Sequence, residues 1–275
     1  MVNLNDVNFG YRKHKPVLHE INLDIRKGII YGLLGKNGEG KTTLLHVIGG
    51  LLFPDSGHCR VFGSEPGKRE AAFLRNIFLL PEEILLPDVS ARTYIRMYAP
   101  FYPTFSEDIL TECVESFGID LSASLRRMSL GQKKKVAIAM ALSAHTPLLL
   151  MDEPTNGLDI PSKSIFRKLL ASFLGEEQTV IISTHQVRDL ESLIDAVIIL
   201  DNREIVLDSS LDEIATKLDF RLVTPEDDAF YREDSPAGTS GVVLNRTGDR
   251  SVVSLELLFN AAIQAKNEIR KLFHS

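Results

Sequence analysis

Gly35-Lys36-Asn37-Gly38-Glu39-Gly40-Lys41-Thr42, followed by Thr43, has the spacing G-x-x-x-x-G-K-[ST]. It sits between an apolar run, Ile29 to Leu34, and a helix-like run, Thr43 to Ile48. That order of strand, glycine-rich loop and helix suits a polyphosphate. Glycines let backbone N–H groups converge on phosphate oxygens, and the start of the next helix adds partial positive charge. The stretch from Gly35 to Thr43 is therefore expected to cradle a nucleotide, with Lys41 reaching the β and γ phosphates and Thr42 ligating magnesium.

Leu148-Leu149-Leu150-Met151-Asp152-Glu153 is an apolar strand ending in two carboxylates. Asp152 is expected to hold the magnesium, directly or through water. Glu153, next along, is expected on the other side of the strand, where it would polarise a water for attack on the γ phosphate. Val180-Ile181-Ile182-Ser183-Thr184-His185 repeats the design, delivering His185 at a strand end, where α/β sheets bind ligands. His185 would hydrogen-bond the γ phosphate and steady Glu153. Ser129, in Met128-Ser129-Leu130-Gly131-Gln132, can cap the helix-like segment Lys133 to Leu142, whose free N–H groups would form a second anion site.

These residues need a scaffold. Ile29 to Leu34, Ile77 to Leu80, Leu148 to Met151, Val180 to Ser183 and Val197 to Leu200 are short, continuous apolar runs alternating with helical segments, the pattern of buried parallel strands. Val2 to Phe9 and Val17 to Ile25 alternate and read as antiparallel strands beside them. From about 87 to 145 the strand pattern gives way to Tyr94, Met97, Ile109, Leu110, Cys113, Val114 and Phe117 at helical spacings, a helical insert. Lys133-Lys134-Lys135 reads as a solvated helix face. After Leu218 the acidic residues around Pro225 and then Ser235-Pro236-Ala237-Gly238 suggest a linker or exposed loop. Leu255, Leu258, Ala262, Ala265, Ile269 and Leu272 lay one apolar stripe along a helix, to pack on its own domain or on a partner.

The expected fold class is α/β: a P-loop NTPase core with a mostly parallel sheet, an antiparallel β subdomain, a helical insert, and a small C-terminal α+β appendage. The expected division is 1–218 for the ATPase domain and 219–275 for an accessory region. The chain has 275 residues, 44% of them hydrophobic and 25% charged, which is too apolar for disorder. A net charge of -6 lacks the basic footprint of a nucleic-acid binder. Cys59 and Cys113 lie far apart and indicate neither a disulfide framework nor a zinc site. The N-terminus runs to Arg12 without the apolar core of a secretory signal, and Ala137 to Met151 falls short of the roughly 20 apolar residues of a spanning helix. No direct membrane insertion is expected.

Over roughly Val2 to Leu218 the sequence resembles the ATP-binding cassette (ABC) family. Met128-Ser129-Leu130-Gly131-Gln132 stands where that family carries Leu-Ser-Gly-Gly-Gln, a signature other P-loop ATPases lack. The resemblance implies an ATPase using ATP and Mg2+, in which Ser129, Gly131 and Gln132 grip the γ phosphate of ATP held by a second copy. A homodimer follows, with one P-loop and one signature per chain. Tyr11 resembles the aromatic that stacks on adenine. Asp159, in Asn156-Gly157-Leu158-Asp159, resembles the residue that senses the partner's site. Glu82 occupies the position where most members have a glutamine that meets magnesium and couples to the membrane partner. Leu130, in place of a glycine, and Glu82 depart from the family pattern, but Lys41, Asp152, Glu153 and His185 are retained. Phe101-Tyr102-Pro103 and Phe117-Gly118-Ile119-Asp120 make the insert similar to that of bacterial ABC-2 type exporters. The resemblance implies a separate transmembrane permease as partner and a cytoplasmic, peripheral location on the inner face of the membrane. The alternatives are a soluble ABC ATPase acting on nucleic acid or ribosomes, or a nucleotide-dependent regulator.

Overall fold

The computed structural model describes residues 1–12, 15–175, 177–187, 191–246 and 248–273. Five apolar runs become the parallel part of a six-stranded sheet: β3 (Ile30–Leu34), β5 (Ile77–Leu80), β6 (Leu148–Asp152), β7 (Thr179–Thr184) and β8 (Ala196–Asp201). With β9 (Glu204–Ser210) antiparallel to β8 at one edge, the strand order is β5-β6-β7-β3-β8-β9. Alternate residues of each strand face opposite sides of the sheet. Leu149, Met151, Val180, Ile182, Val197 and Ile199 join one apolar core, and Leu148, Leu150, Ile181, Ile198 and Leu200 join a second. Both faces are covered, which is why these strands read as unbroken apolar runs.

The second core is closed by an antiparallel layer of β1 (Val2–Arg12), β2 (Lys15–Ile25) and β4 (Ser56–Val61), in the order β2-β1-β4, together with α1 (Lys41–Ile48). The first core is closed by helices α3 (Ala91–Tyr98), α4 (Glu107–Phe117) and α5 (Leu130–Ser143), inserted between β5 and β6, and by α6 (Ile160–Phe173). A short α2 (Ala71–Leu74) precedes β5. The insert's helices begin at capping side chains: Ser90 accepts from Thr93 N, Ser106 from Ile109 N, and Ser129 from Gln132 N.

Beyond α7 (Leu211–Lys217), three further strands replace the expected linker: β10 (Leu218–Leu222), β11 (Ala229–Ser235) and β12 (Gly238–Leu244), antiparallel in the order β10-β12-β11. Ser235-Pro236-Ala237-Gly238 is the tip of the β11–β12 hairpin, with Gly238 at φ 121°. One face of this sheet turns toward the first core, through Leu218 and Val242. Its outward positions carry the Asp, Glu and Arg residues that made the segment look like loop. The single C-terminal helix is also corrected, because the chain breaks at Ala265 (φ -107°, ψ 46°) into α8 (Leu255–Gln264) and α9 (Lys266–Phe273). The break turns Ile269 inward while Lys266 and Arg270 reach Glu204 at 3.3 and 2.8 Å. Of the alternatives for the stripe, packing on its own chain is observed: Leu255, Leu258, Ala261, Ala262 and Ile269 are buried in the first core. Among the described residues, no helix is long and apolar enough to cross a membrane.

Candidate functional site

Strand register gathers the polar residues at one edge. Leu34 pairs with Thr184 and Asp152 pairs with Ser183, so β3, β6 and β7 end level with one another. Whatever follows each strand emerges at the same place, the carboxyl edge where open α/β sheets bind ligands. The loop 35–40 follows β3, Glu153 follows β6, and His185 follows β7. Leu80 pairs with Met151, which brings Glu82 to the same edge.

The glycine loop is shaped by contacts as well as by backbone freedom. A side chain at Gly35 would meet Leu200 O at 2.7 Å, and one at Gly40, where φ is 108°, would meet Val17 O at 2.9 Å. Lys41, 7% exposed, curls back so that its Nζ donates to Gly35 O at 2.7 Å and Lys36 O at 3.2 Å, with Glu153 Oε1 3.8 Å away. Burial pulls its ammonium below the ordinary lysine value, while Glu153, Asp152, Glu82 and Glu39 oppose that. Thr42 Oγ1 donates to Asp152 Oδ2 at 2.6 Å, and Ser183 Oγ donates to Asp152 Oδ1.

Glu153 is not on the far side of β6. The strand ends at Asp152, and Glu153 takes a left-handed backbone (φ 43°), its N–H donating to the Ser183 carbonyl and hydroxyl at 3.2 and 3.1 Å. The reversal brings both carboxylates into one cleft. His185 Nδ1 hydrogen-bonds Glu153 Oε1 at 2.8 Å, and its Nε2 faces the Gln186 amide nitrogen at 3.4 Å. Glu153 Oε2 is the buried side-chain oxygen without a hydrogen-bond partner among the described residues.

The cleft, ≈ 610 Å³ in volume, brings together Asn37, Gly38, Gly40, Lys41, Thr42 and Thr43 of the loop and α1 with Tyr11, Glu82, Asp152, Glu153 and His185. Gly35 and Lys36 contribute the carbonyls that hold Lys41, and Glu39 N–H donates to Lys36 O at 3.4 Å. Tyr11 shares a hydrogen bond of 3.1 Å with Thr43 Oγ1 and leans edge-on against Phe9, leaving the ring 62% exposed at the rim. Val17 and Asn156 also line the cleft. Val17 reads in the sequence as an ordinary strand residue, and Asn156, quoted there only in the loop that carries Asp159, enters because its Nδ2 donates to Glu82 Oε1 at 2.9 Å.

Ser129, Gly131, Gln132 and Asp159 do not line this cleft. Ser129 Oγ accepts from Gln132 N at 3.2 Å and Gln132 Oε1 accepts from Ser129 N at 2.9 Å, a complete capping box. The next two N–H groups, of Leu130 and Gly131, are those a helix start leaves free of intrahelical bonds. A side chain at Gly131 would meet Gly157 O at 3.1 Å, so this glycine lets α5 sit against the loop 156–159. Leu130 lies 63% exposed. Asp159 caps α6 through Ser162 N at 2.8 Å, and hydrogen bonds from Ser162 hold its carboxyl below the usual range.

The lysine run is corrected in part. Lys134 is 2% exposed, and its Nζ donates to Glu82 O at 3.0 Å. Burial lowers its pKa against the opposing charges of Glu82, Asp152 and Glu153.

Thr42, Asp152 and Glu82 offer hard oxygen donors at one end of the cleft, a set that fits magnesium. Among the described residues no group of three or more His, Cys, Asp or Glu side chains could hold a metal by itself. Magnesium characteristically takes one or two protein groups together with substrate phosphates. A cationic, glycine-lined cradle facing a buried carboxylate and a partly exposed histidine can bind a polyphosphate and polarise a water beside it.

Comparison with known proteins gives concordant results. A family model described as ABC transporter matches residues 18–156. The ABC transporter ATP-binding protein NatA of Bacillus subtilis (strain 168) is 31% identical over 224 residues, covering 78% of this chain and 91% of that protein. The bacitracin transport ATP-binding protein BcrA of Bacillus licheniformis is 31% identical over 230 residues, covering 81% and 75%. A solved dimeric structure of an ATP-binding cassette in a post-hydrolysis state, bound to ADP and Pi, is 25% identical with a TM-score of 0.67, covering 76% of this chain and 98% of that one.

Proposed function

The chain belongs to the ABC transporter family as an ATP-hydrolysing subunit, and from that premise we propose that two copies close around two Mg-ATP to drive a separate membrane permease, in the direction of export. One observation carries the two-copy reading. Lys41, Thr42, Asp152, Glu153 and His185 share one cleft, while the capped start of α5 opens outside it on the same chain. A helix N-terminus with free N–H groups suits a phosphate, and a second copy can present one to it. Leu130, beside Gly157 and largely exposed, suits burial in such a contact.

In this reading Lys41 leaves the Gly35 and Lys36 carbonyls for the β and γ phosphates, and the loop N–H groups from Gly35 to Thr43 wrap them. Tyr11 stacks on the adenine. Thr42 and Asp152 hold magnesium, with Glu82 beside them; when bound, the metal neutralises charge on the β and γ oxygens. Glu153 accepts the proton of the attacking water, His185 fixes the carboxylate through Nδ1 and meets the γ phosphate, and Asp159 reports on the other copy's site. Phosphate release then lets the copies part. The names of the NatA and BcrA relatives support a transport role, and the similarity of the insert to that of ABC-2 type exporters supports export. A permease partner would hold the chain at the cytoplasmic face of the membrane.

Size-exclusion chromatography of the full chain tests the assembly. With Mg2+ and a nonhydrolysable ATP analogue the protein is expected to elute as a dimer, and S129R to remain monomeric while still binding nucleotide. Monomeric wild type under saturating analogue, or an S129R dimer as tight as wild type, overturns the reading.

A further inference from the structure

A lysine that surrenders nearly all its solvent for one carbonyl needs an explanation. Burying a cationic side chain is costly unless nearby negative charge offsets it. Lys134, in the second turn of α5, is 2% exposed, and its Nζ donates to the main-chain oxygen of Glu82 at 3.0 Å. The carboxylates whose charges act on it are Glu82, Asp152 and Glu153. Lys134 thus lies beneath the acidic end of the cleft without lining it. The Glu82 side chain is held from the other direction by Asn156 Nδ2, at 2.9 Å. Glu82 is therefore clamped twice, by Lys134 through its main chain and by Asn156 through its carboxylate.

We propose that Lys134 is a positioning residue that sets Glu82 and balances the acidic cluster so that the cleft accepts a divalent cation with its nucleotide. The inference rests on the reading of Thr42, Asp152 and Glu82 as the metal end of the site. It also gives α5 a second duty. The helix begins at the Ser129 cap and, five residues on, grips the loop of its own chain's metal end. A shift at its start, where a second copy's phosphate would dock, is carried by rigid helix to Glu82.

Calorimetric ATP binding by the full chain, with Mg2+ and with EDTA, tests this without relying on turnover. Wild type is expected to bind ATP more tightly with Mg2+. K134M, which fills the same space without charge, is expected to lose about tenfold of that gain, as removal of groups supporting metal ligands commonly does, while its affinity in EDTA is retained. K134R, which keeps a buried cationic donor, is expected to restore the gain. Replacing a buried charge by an apolar side chain need not destabilise. If K134M nevertheless does not fold, K134Q takes its place with the same expected loss. Equal Mg2+ gains in wild type and K134M overturn the positioning role alone. A wild type indifferent to Mg2+ overturns the metal reading beneath it. A parallel loss of affinity in Mg2+ and EDTA marks Lys134 as a packing residue and overturns the proposal as well.

Discussion

Glu153 carries two costs in the resting chain. Its backbone sits at φ 43° and its buried Oε2 has no donor among the described residues. Left-handed backbone at a non-glycine residue costs on the order of 1–3 kcal/mol and persists where surrounding contacts impose it, here the Ser183 carbonyl and hydroxyl. What the strain achieves is direction: the carboxylate turns into the cleft beside His185 instead of continuing the alternation of β6. Replacing it by the isosteric amide, E153Q, is expected to slow ATP hydrolysis by roughly 10² to 10⁴ fold with ATP affinity retained. Near-normal phosphate release by a folded E153Q protein would show that another group activates the water. That Lys41, Thr42, Asp152, Glu153 and His185 gather in one cleft was readable because each lies at or just beyond the end of an apolar strand. The turn at Glu153 was not, since side-chain alternation assumes that the strand continues. Nor was the depth of Lys134, because three consecutive lysines look solvated until α5 is laid beneath the Glu82 loop.

Strands announce themselves in proportion to how much of them is covered. β3, β6, β7 and β8 are apolar on both faces and stand out in the sequence, whereas β11 keeps most of its length exposed and its hairpin tip contains proline and glycine. Edge strand β9 shows the intermediate case. Its half-buried Asp208 has a carboxyl pushed up to about 6, first by burial and then by the charge of Asp24, with Arg26 opposing. Because this exceeds the unfolded value of about 4, folding favours the protonated form. That contribution is complete below about pH 4 and disappears as pH rises through about 6. D208N, neutral at every pH, is expected to raise the melting temperature at pH 7.5 by roughly 2–4 °C and to give no gain near pH 4. A melting series over that range decides, and a shift independent of pH would assign the effect to packing. The break at Ala265 escaped the periodicity for a related reason: spacings of three and four continue through a kink that changes only which way the next turn faces.

The division at residue 218 suggested by a change in composition does not coincide with a boundary in the packing. Val206, Ile214, Leu218 and Val242 share one apolar core with Leu255, Leu258 and Ile269, and the same core runs beneath β6 and β7 to the inserted helices. Lys266 and Arg270 fasten α9 to Glu204 in β9. The covered central sheet therefore separates the antiparallel layer from the helical one, with the C-terminal helices belonging to the latter. Continuity of that kind sets the grain of unfolding. Amide protons of α8 should exchange with deuterium at the pace of the neighbouring sheet, in one cooperative unit, while the exposed tip of the β11–β12 hairpin exchanges by local opening. Had the last 57 residues been a tethered passenger, they would label as a separate, faster block.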